Sequence, residues 1–176
     1  KVRVSINEAD KDHGKPIGKT HFVTVDMAAL EQGKVKVLKK GMAPGAEGKT
    51  ISFRMAYSPD GKLLAASGAD RMWLMDADLN IIDAEMMGSL EQNHDAMFTP
   101  DGKYVMATSR SKAVLPECED PAKPKEGEFI MDGHLKLYDV AAKKWVGEST
   151  SVCLACHNNE GVEEHAILCG LDTNFH

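Results

Sequence analysis

Apolar and polar residues alternate along most of this chain in short runs, a pattern that predicts β-strands rather than helices. The runs LLAAS at 63–67 and YVMATS at 104–109 each follow the turn sequence PDGK. The strand before each turn carries an aromatic residue at the same place, Tyr57 in one and Phe98 in the other. Pro, Asp and Gly are the residues that tight turns favour. The pattern therefore predicts a mainly β protein made of repeated strand–turn–strand units.

The two PDGK turns mark an internal repeat. Asp60 and Asp101 are 41 residues apart, and one propeller blade occupies roughly 40–45 residues. A second recurring feature is an Asp turn between two strands, at Asp26, Asp76 and Asp139, as in the outer hairpin of a blade. The repeat predicts blade-like units at about 19–42, 51–90 and 92–148.

Two further segments fit this repeat. The second blade contains extra residues at 111–133, rich in Pro, Lys and Glu, which predict an exposed loop. This insertion is either a tolerated surface loop or a docking element for a partner. HAILCGLD at 165–172 aligns with HDAMFTPD at 94–101, so 165–176 is predicted as the first strand of another blade.

The repeats resemble the WD40/YVTN-type propeller repeats of periplasmic oxidoreductases, including the large subunits of amine dehydrogenases and the haem d1 domain of cytochrome cd1. The resemblance covers about two thirds of the chain and implies one domain, residues 1–176, forming a partial β-propeller of about three to four blades. Propellers usually close with roughly four to eight blades, and an open sheet edge is a template for pairing. We therefore expect another subunit to complete the ring; self-association or an unusually small closed propeller are the alternatives.

The strongest chemical motif is CLACH at 153–157. A c-type haem needs two thiols for its vinyl groups and a histidine directly after the second, which C-x-x-C-H provides in that order. The resemblance to c-type cytochromes implies that Cys153 and Cys156 form the thioethers and that His157 is the proximal iron ligand. We expect one covalent haem c, carried by an inter-blade loop at 149–164.

Other uses of the cysteines remain open. A structural zinc site needs four ligands, usually from two paired motifs, whereas Cys118 and Cys169 stand alone. Thioredoxin-like chemistry places C-x-x-C in a βαβ unit, which this β-rich pattern does not predict. Cys118 and Cys169 form a disulfide or remain free thiols. We expect EGVEEH at 160–165 to be a solvated acidic turn, and a cation site is the alternative.

The second axial iron ligand is less defined by sequence. His165 follows His157 in the same predicted loop, and His94 occupies the corresponding place one blade earlier. Both would lie at the start of an innermost strand, near the end of the propeller axis. His165 is the first candidate and His94 the weaker one. The remaining options are His134, His176, a methionine such as Met97, a residue of a partner, or an open position.

Composition limits the remaining classes. The chain has 43% hydrophobic and 27% charged residues and a formal net charge of −6, which predicts neither nucleic acid nor an anionic membrane as partner. No apolar run has the roughly 20 residues of a membrane helix. The first residues, KVRVSINEAD, lack a signal-peptide core, so the chain is cytosolic or already processed. Haem attachment to C-x-x-C-H normally occurs outside the cytoplasm, which favours the periplasm with a signal peptide removed.

Three functions are consistent with these features. The first is a monohaem electron-transfer subunit of a multi-subunit oxidoreductase that passes electrons to a soluble redox carrier. The second is a haem enzyme that acts on a small molecule at an open distal position. The third is a propeller scaffold without a cofactor. The sequence defines neither the substrate nor the redox potential.

Overall fold

A computed structural model describes residues 1–152, 168 and 170–172 of the chain. The described residues form eleven strands and one short helix. The strands are β1 Val2–Ala9, β2 Pro16–Val25, β3 Val37–Pro44, β4 Ser52–Tyr57, β5 Leu63–Gly68, β6 Arg71–Asp76, β7 Ile81–Met86, β8 Glu91–Phe98, β9 Tyr104–Val114, β10 Phe129–Asp139 and β11 Lys144–Ser151. The helix, α1, spans Met27–Glu31.

The strands form three antiparallel sheets that follow one another along the chain. Sheet 1 has the order β1–β2–β3, sheet 2 β4–β5–β6–β7 and sheet 3 β11–β10–β9–β8. The first strands of sheets 2 and 3, β4 and β8, contact each other. Consecutive meander sheets that meet along their first strands are the arrangement of propeller blades. The protein is therefore mainly β and adopts a partial β-propeller, which confirms the predicted fold class.

Two apolar layers hold the three sheets together. The layer between sheets 1 and 2 consists of Phe22, Ala43, Leu64, Ala66, Trp73, Met75 and Leu79. The layer between sheets 2 and 3 consists of Ala65, Met72, Leu74, Ala96, Phe98, Val105 and Tyr138. Because successive strand residues point to opposite faces, the neighbours Leu64, Ala65 and Ala66 contribute alternately to the two layers. Sheet 2 is therefore covered on both faces.

Two glycines allow this close packing. A Cβ atom at Gly41 of β3 would lie 2.4 Å from the carbonyl oxygen of Leu79. A Cβ atom at Gly68 would lie 2.7 Å from the ring of Trp73. Both contacts are shorter than real Cβ atoms make, so a side chain at Gly41 would push sheet 1 away from sheet 2.

The predicted Asp turns are present, with one difference. Asp76 accepts a hydrogen bond from the backbone N–H of Asp78 at 2.8 Å, and Asp139 accepts one from Ala141 at 2.9 Å. Asp26 instead caps the helix α1, accepting from the N–H of Ala28 at 3.0 Å. An Asp side chain suits both roles, because the N-cap and the Asx turn use the same carboxylate-to-N–H bond.

The structure corrects the extent of the predicted insertion. Residues 111–114 and 129–133, expected within an exposed loop, continue β9 and β10, and Val114 pairs with Phe129. The connecting loop spans only 115–128. The Pro, Lys and Glu content of the middle of the segment concealed two flanking runs with strand alternation. Sheet 1 also contains β1, which lies before the predicted unit at 19–42.

The two end sheets each expose an apolar face that points away from sheet 2. On sheet 1, Ile6 pairs with His21 and His21 with Met42, and Ile6 and Met42 are about half exposed. A groove of about 440 Å³ on this face is lined by Val4, Ile6, Val23, Val25, Leu30 and Val37. On sheet 3, one row crosses all four strands: Met97, Met106, Leu137 and Val146. Such faces are usually covered in a folded assembly.

Candidate functional site

The last described strand leads directly to the C-x-x-C-H motif. β11 ends at Ser151, which is the ladder partner of His134 on β10. The next residue, Val152, donates its N–H to the carbonyl oxygen of Gly133 at 2.8 Å. The chain is therefore attached to β10 up to the residue before Cys153. Cys153, Cys156, His157 and His165 lie outside the described residues, as do Cys169 and His176, so their predicted roles stay predictions.

His134 belongs to a polar row that crosses sheet 3. Asn93 pairs with Ser109, Ser109 with His134, and His134 with Ser151. Directly opposed residues place their side chains on the same face of a sheet. The Asn93 side chain donates to the carbonyl oxygen of Arg71 at 3.1 Å, so this face is the one that points toward sheet 2.

A carboxylate orients the His134 ring. Asp132, two residues earlier on β10, lies on the same face, and its Oδ2 is 2.8 Å from His134 Nε2. The Asp132 side chain is fully buried and that of His134 is 20% exposed. In this contact His134 Nε2–H donates to the Asp132 carboxylate. His134 Nδ1 is buried and has no hydrogen-bond partner among the described residues.

A second polar group lies beside this pair. Lys136 Nζ is 3.3 Å from Glu91 Oε2, and both side chains are largely buried. Ser149 of β11 also donates to Glu91. Burial raises the pKa of Glu91, but the hydrogen bonds from Ser149 and the N–H of Gly88 and the charge of Lys136 outweigh it, so the net pKa is lowered. Glu91 is therefore ionised at neutral pH and fixes the end of β11 to the start of β8.

The two groups line one open cavity of about 380 Å³. Its walls include His134, Lys136, Glu91, Ser149 and Lys112. The cavity lies between the loop that leads into β8 and the outer strands of sheet 3. It therefore lies beside β11, which ends at Ser151.

His94, the weaker sequence candidate for an iron ligand, lies at a different place. It occupies a β-bulge between Asn93 and Asp95 on β8. Its ring stacks on Phe53 of β4, with centroids 4.8 Å apart and an interplanar angle of 19°. His94 thus packs between the first strands of sheets 2 and 3, and its role as a ligand stays a prediction.

Cys118 lies in the loop 115–128 and forms no disulfide with a described residue. Its Sγ is 3.5 Å from Glu128 Oε2, and local desolvation together with this neighbouring carboxylate raises the pKa of the thiol. A raised thiol pKa lowers reactivity, because the thiolate is the nucleophile and the metal ligand. The alternative of a disulfide with Cys169 concerns a residue outside the described part of the chain.

The described residues contain no other arrangement for a metal. No group of three or more His, Cys, Asp or Glu side chains there is placed to hold a metal ion. No described helix is long or apolar enough to cross a membrane.

The Asp132–His134 pair could have been predicted from the sequence, because residues two apart on a strand share a face. The contact between Glu91 and Lys136 could not have been predicted in this way, because the two residues are 45 positions apart in sequence.

No protein-family model matches the sequence, and no curated protein matches it. Among solved structures, hydrazine synthase from Kuenenia stuttgartiensis is similar to the chain, with a TM-score of 0.50 and 16% identity. That match covers 78% of this chain and 39% of the other. The Cps50 (Swd1) β-propeller domain from Myceliophteria thermophila is similar with a TM-score of 0.35 and 12% identity, covering 84% of this chain and 68% of the other.

These likenesses concern the fold alone, because the sequence identities are low. The chain spans well under half of the hydrazine synthase chain that it matches. The likeness to hydrazine synthase agrees with the sheet topology described above. The partial propeller therefore rests on the strand order and on the contact between the first strands of sheets 2 and 3.

Proposed function

We propose that this protein is a periplasmic monohaem c-type cytochrome that serves as an electron-transfer subunit of a larger oxidoreductase. The observation that carries the proposal is the complete C-x-x-C-H sequence at 153–157, which begins two residues after β11 ends. Cys153 and Cys156 would attach the haem and His157 would bind its iron. When bound, haem c supplies an iron that takes up and releases one electron.

One described histidine, the ladder partner of Ser151, has a feature that metal ligands share. Buried polar atoms in proteins nearly always have a partner, whereas His134 Nδ1 has none among the described residues. A histidine held by a carboxylate is the usual arrangement of an oriented metal ligand.

The proposed place in a complex depends on the exposed faces of sheets 1 and 3. A propeller buries both faces of each blade against its neighbours, as sheet 2 does here. Ile6 and Met42 on sheet 1, and Leu137 and Val146 on sheet 3, are exposed. Burying apolar surface contributes about 25 cal/mol per Å², so further blades from a partner subunit, or from a second copy, would be stabilised on both faces.

The first test is the intact mass of the full chain produced in a periplasm with haem-attachment enzymes. We expect the mass of the polypeptide plus that of one haem. The haem should stay attached after denaturation, because the thioethers are covalent. The Cys153→Ala and Cys156→Ala double variant should lose this added mass. Cys118→Ala is the matched control and should retain it, because Cys118 lies in the separate loop 115–128 and not in the C-x-x-C-H sequence.

Two results would contradict the proposal. A native preparation with the mass of the bare polypeptide favours the cofactor-free scaffold. One equivalent of zinc in place of haem, lost in the Cys153→Ala and Cys156→Ala variant, favours a zinc site. Rapid binding of carbon monoxide or cyanide by a high-spin haem would instead support the haem enzyme acting on a small molecule.

A further inference from the structure

Among the described residues, sheet 1 lacks the strand that corresponds to the first strand of the other two sheets. In sheets 2 and 3 the Asp turn joins the third strand to the fourth, at Asp76 after β6 and at Asp139 after β10. In sheet 1, Asp26 follows β2, and all three hairpins have a register shift shortly before the Asp. By this register β1, β2 and β3 correspond to second, third and fourth strands. A first strand would therefore pair with the free edge of β1.

We propose that a strand of the partner subunit pairs with β1 and becomes the first strand of sheet 1. This inference rests on the partner subunit proposed above and does not depend on the haem. It adds that the partner contributes an extended strand as well as an apolar face. Addition of a strand to a sheet edge is a common mode of protein recognition.

The first strand of sheet 2 is exposed where the added strand would lie. Tyr57 at the end of β4 and Phe98 at the end of β8 occupy the same place in the repeat, yet Phe98 is fully buried and Tyr57 is 42% exposed. Two positions earlier, Ala96 is fully buried and Met55 only partly buried. Strand β8 is contacted by β4 and β5, the first two strands of sheet 2. In sheet 1 the second of these strands is present as β1 and the first is absent among the described residues.

The backbone of β1 has groups available for pairing, because β1 pairs with β2 on one side only. Gly45 donates its N–H to the carbonyl oxygen of Gly18 at 2.6 Å, and bonded pairs of an antiparallel ladder recur at every second residue. The even-numbered residues of β2 therefore bond to β3 and the odd-numbered ones to β1. Ser5 lies opposite an even-numbered residue, so its N–H and C=O point away from β2, as do those of Arg3 and Asn7. Such an edge is a template for another strand.

The side chains of β1 define the chemistry of the added strand. Arg3 faces sheet 2, where it donates to the carbonyl oxygen of Ala77 at 2.8 Å, whereas Val4 and Ile6 lie on the opposite face and are 40% and 50% exposed. Because directly opposed residues share a face, the added strand should alternate polar and apolar residues.

Charge complementarity defines one end of this strand. First strands run antiparallel to second strands in sheets 2 and 3, so the last residues of the added strand would lie near Arg3. Neither Arg3 nor Lys1 forms an ion pair with a described carboxylate. An acidic residue at the carboxyl end of the added strand would complement both charges.

A partner subunit is the occupant that also covers the neighbouring surface. Val4 and Ile6 belong both to β1 and to the exposed apolar face of sheet 1, whose groove extends over β2, β3 and α1. One added strand would leave most of this groove open. A subunit that packs on the face and adds a strand at its edge buries both surfaces, which are continuous.

The test is hydrogen exchange in the native complex, purified from its source cells through a tag on the full chain, compared with the isolated full chain. Mass spectrometry at single-residue resolution gives the exchange rates. We expect the N–H groups of Arg3, Ser5 and Asn7 to exchange at least about tenfold more slowly in the complex, because each gains a hydrogen bond.

Ser5→Pro tests the same edge by mutation. It removes an N–H that points away from β2, a change that edge strands tolerate, and it should weaken association with the partner by about tenfold, because the added strand loses one hydrogen bond and meets the proline ring. Circular dichroism establishes that the variant folds.

Ala84→Pro is the matched control on β7. Met87 donates its N–H to the carbonyl oxygen of Asp70 at 2.9 Å, so by the same alternation the N–H of Ala84 points away from β6. Sheet 2 already has four strands, so this variant should associate normally, and the exchange of the Ala84 N–H should be equal in the two states.

The outcomes separate this inference from the proposed function. Equal exchange of the β1 N–H groups in the complex and in the isolated chain would overturn the inference, as would the absence of a bound subunit. Slow exchange in the isolated chain would also overturn it: loss of protection on dilution would assign the strand to a second copy, and loss in a chain that ends at Val152 would assign it to the residues that follow. Haem attachment is measured by mass and is independent of all these results.

Discussion

Asp60 and Asp101 stabilise equivalent turns by equivalent hydrogen bonds. Asp60 accepts from the Ser58 hydroxyl at 2.8 Å and from the Lys62 N–H at 3.1 Å. Asp101 accepts from the Thr99 hydroxyl at 2.7 Å and from the Lys103 N–H at 3.1 Å. The glycine after each aspartate has a φ of +70°, which glycine adopts without steric cost. A repeat recognised in the sequence is therefore also a repeat of atomic contacts.

The pKa of Asp101 follows from these contacts. The hydrogen bond from Thr99 and those from Lys103 lower it from 3.8 to about 2. Because the pKa is lower in the folded state, the stabilisation is fully present above pH 3.8 and is lost as the pH falls through about 2. Asp101 thus contributes to stability at neutral pH and not in strong acid.

Thr99→Val should raise the pKa of Asp101 toward 3.8, because it removes the hydroxyl that contributes most to the shift. The measurement is a carboxyl titration by nuclear magnetic resonance. The pKa of Asp60 should stay lowered in this variant, whereas Ser58→Ala should raise it without changing Asp101. An Asp101 pKa that does not respond to Thr99→Val would show that the hydroxyl is not the cause.

The strand β6 contributes side chains to both apolar layers. Four consecutive residues of β6, Met72 to Met75, are buried, because alternate side chains enter the layers on the two faces of sheet 2. Trp73 contacts Phe22 of sheet 1 edge to face, with centroids 5.6 Å apart. Trp145 of β11 contacts Tyr138 at 5.7 Å in the same geometry but is only partly buried.

Trp73→Ala should lower the free energy of unfolding by about 3–5 kcal/mol, the usual cost of removing a buried aromatic side chain. Trp145→Ala is the matched comparison with the same loss of atoms. It should cost less, because part of its ring already contacts solvent and water can occupy the space. Urea unfolding followed by circular dichroism measures both. Equal losses would contradict the assignment of Trp73 to the interior layer.

The described part of the chain forms three neighbouring sheets with apolar surface at both ends. Sheet 2 is covered on both faces, whereas sheets 1 and 3 are each covered by another sheet on one face only. The exposed residues at the ends, such as Ile6 and Leu137, form rows rather than isolated positions. A continuous apolar row is typical of an interface, whereas scattered apolar residues are normal on any surface.

Ile6→Lys and Leu137→Lys should weaken association of the full chain with its partner or with a second copy by at least about tenfold, since burying an unpaired charge is costly. The melting temperature of the isolated chain should change little, because both side chains are already exposed. Sedimentation velocity measures the association. Ala142→Lys, in the exposed turn before β11, is the control. Equal weakening by the control would place the interface elsewhere.

Much of the architecture follows from local sequence. Turn residues and strand alternation act over a few neighbours, so Asp60, Asp101 and the apolar runs beside them were sufficient to predict a mainly β partial propeller. The ends of the insertion were not predicted, because residues 111–114 become a strand by pairing with 129–132. β1 was also missed, since its pairing with β2 depends on a turn without the repeated signal.

The C-x-x-C-H motif is likewise a local pattern, because five adjacent residues contain all the groups that the proposed haem attachment requires. The position of His134 beside Ser151 is a different kind of information. It depends on the register of β10 against β11, which brings residues distant in sequence into one row. The contact between Glu91 and Lys136 has the same origin. Strand register is set by the packing of the whole sheet, so these neighbours could be identified only once the chain had folded.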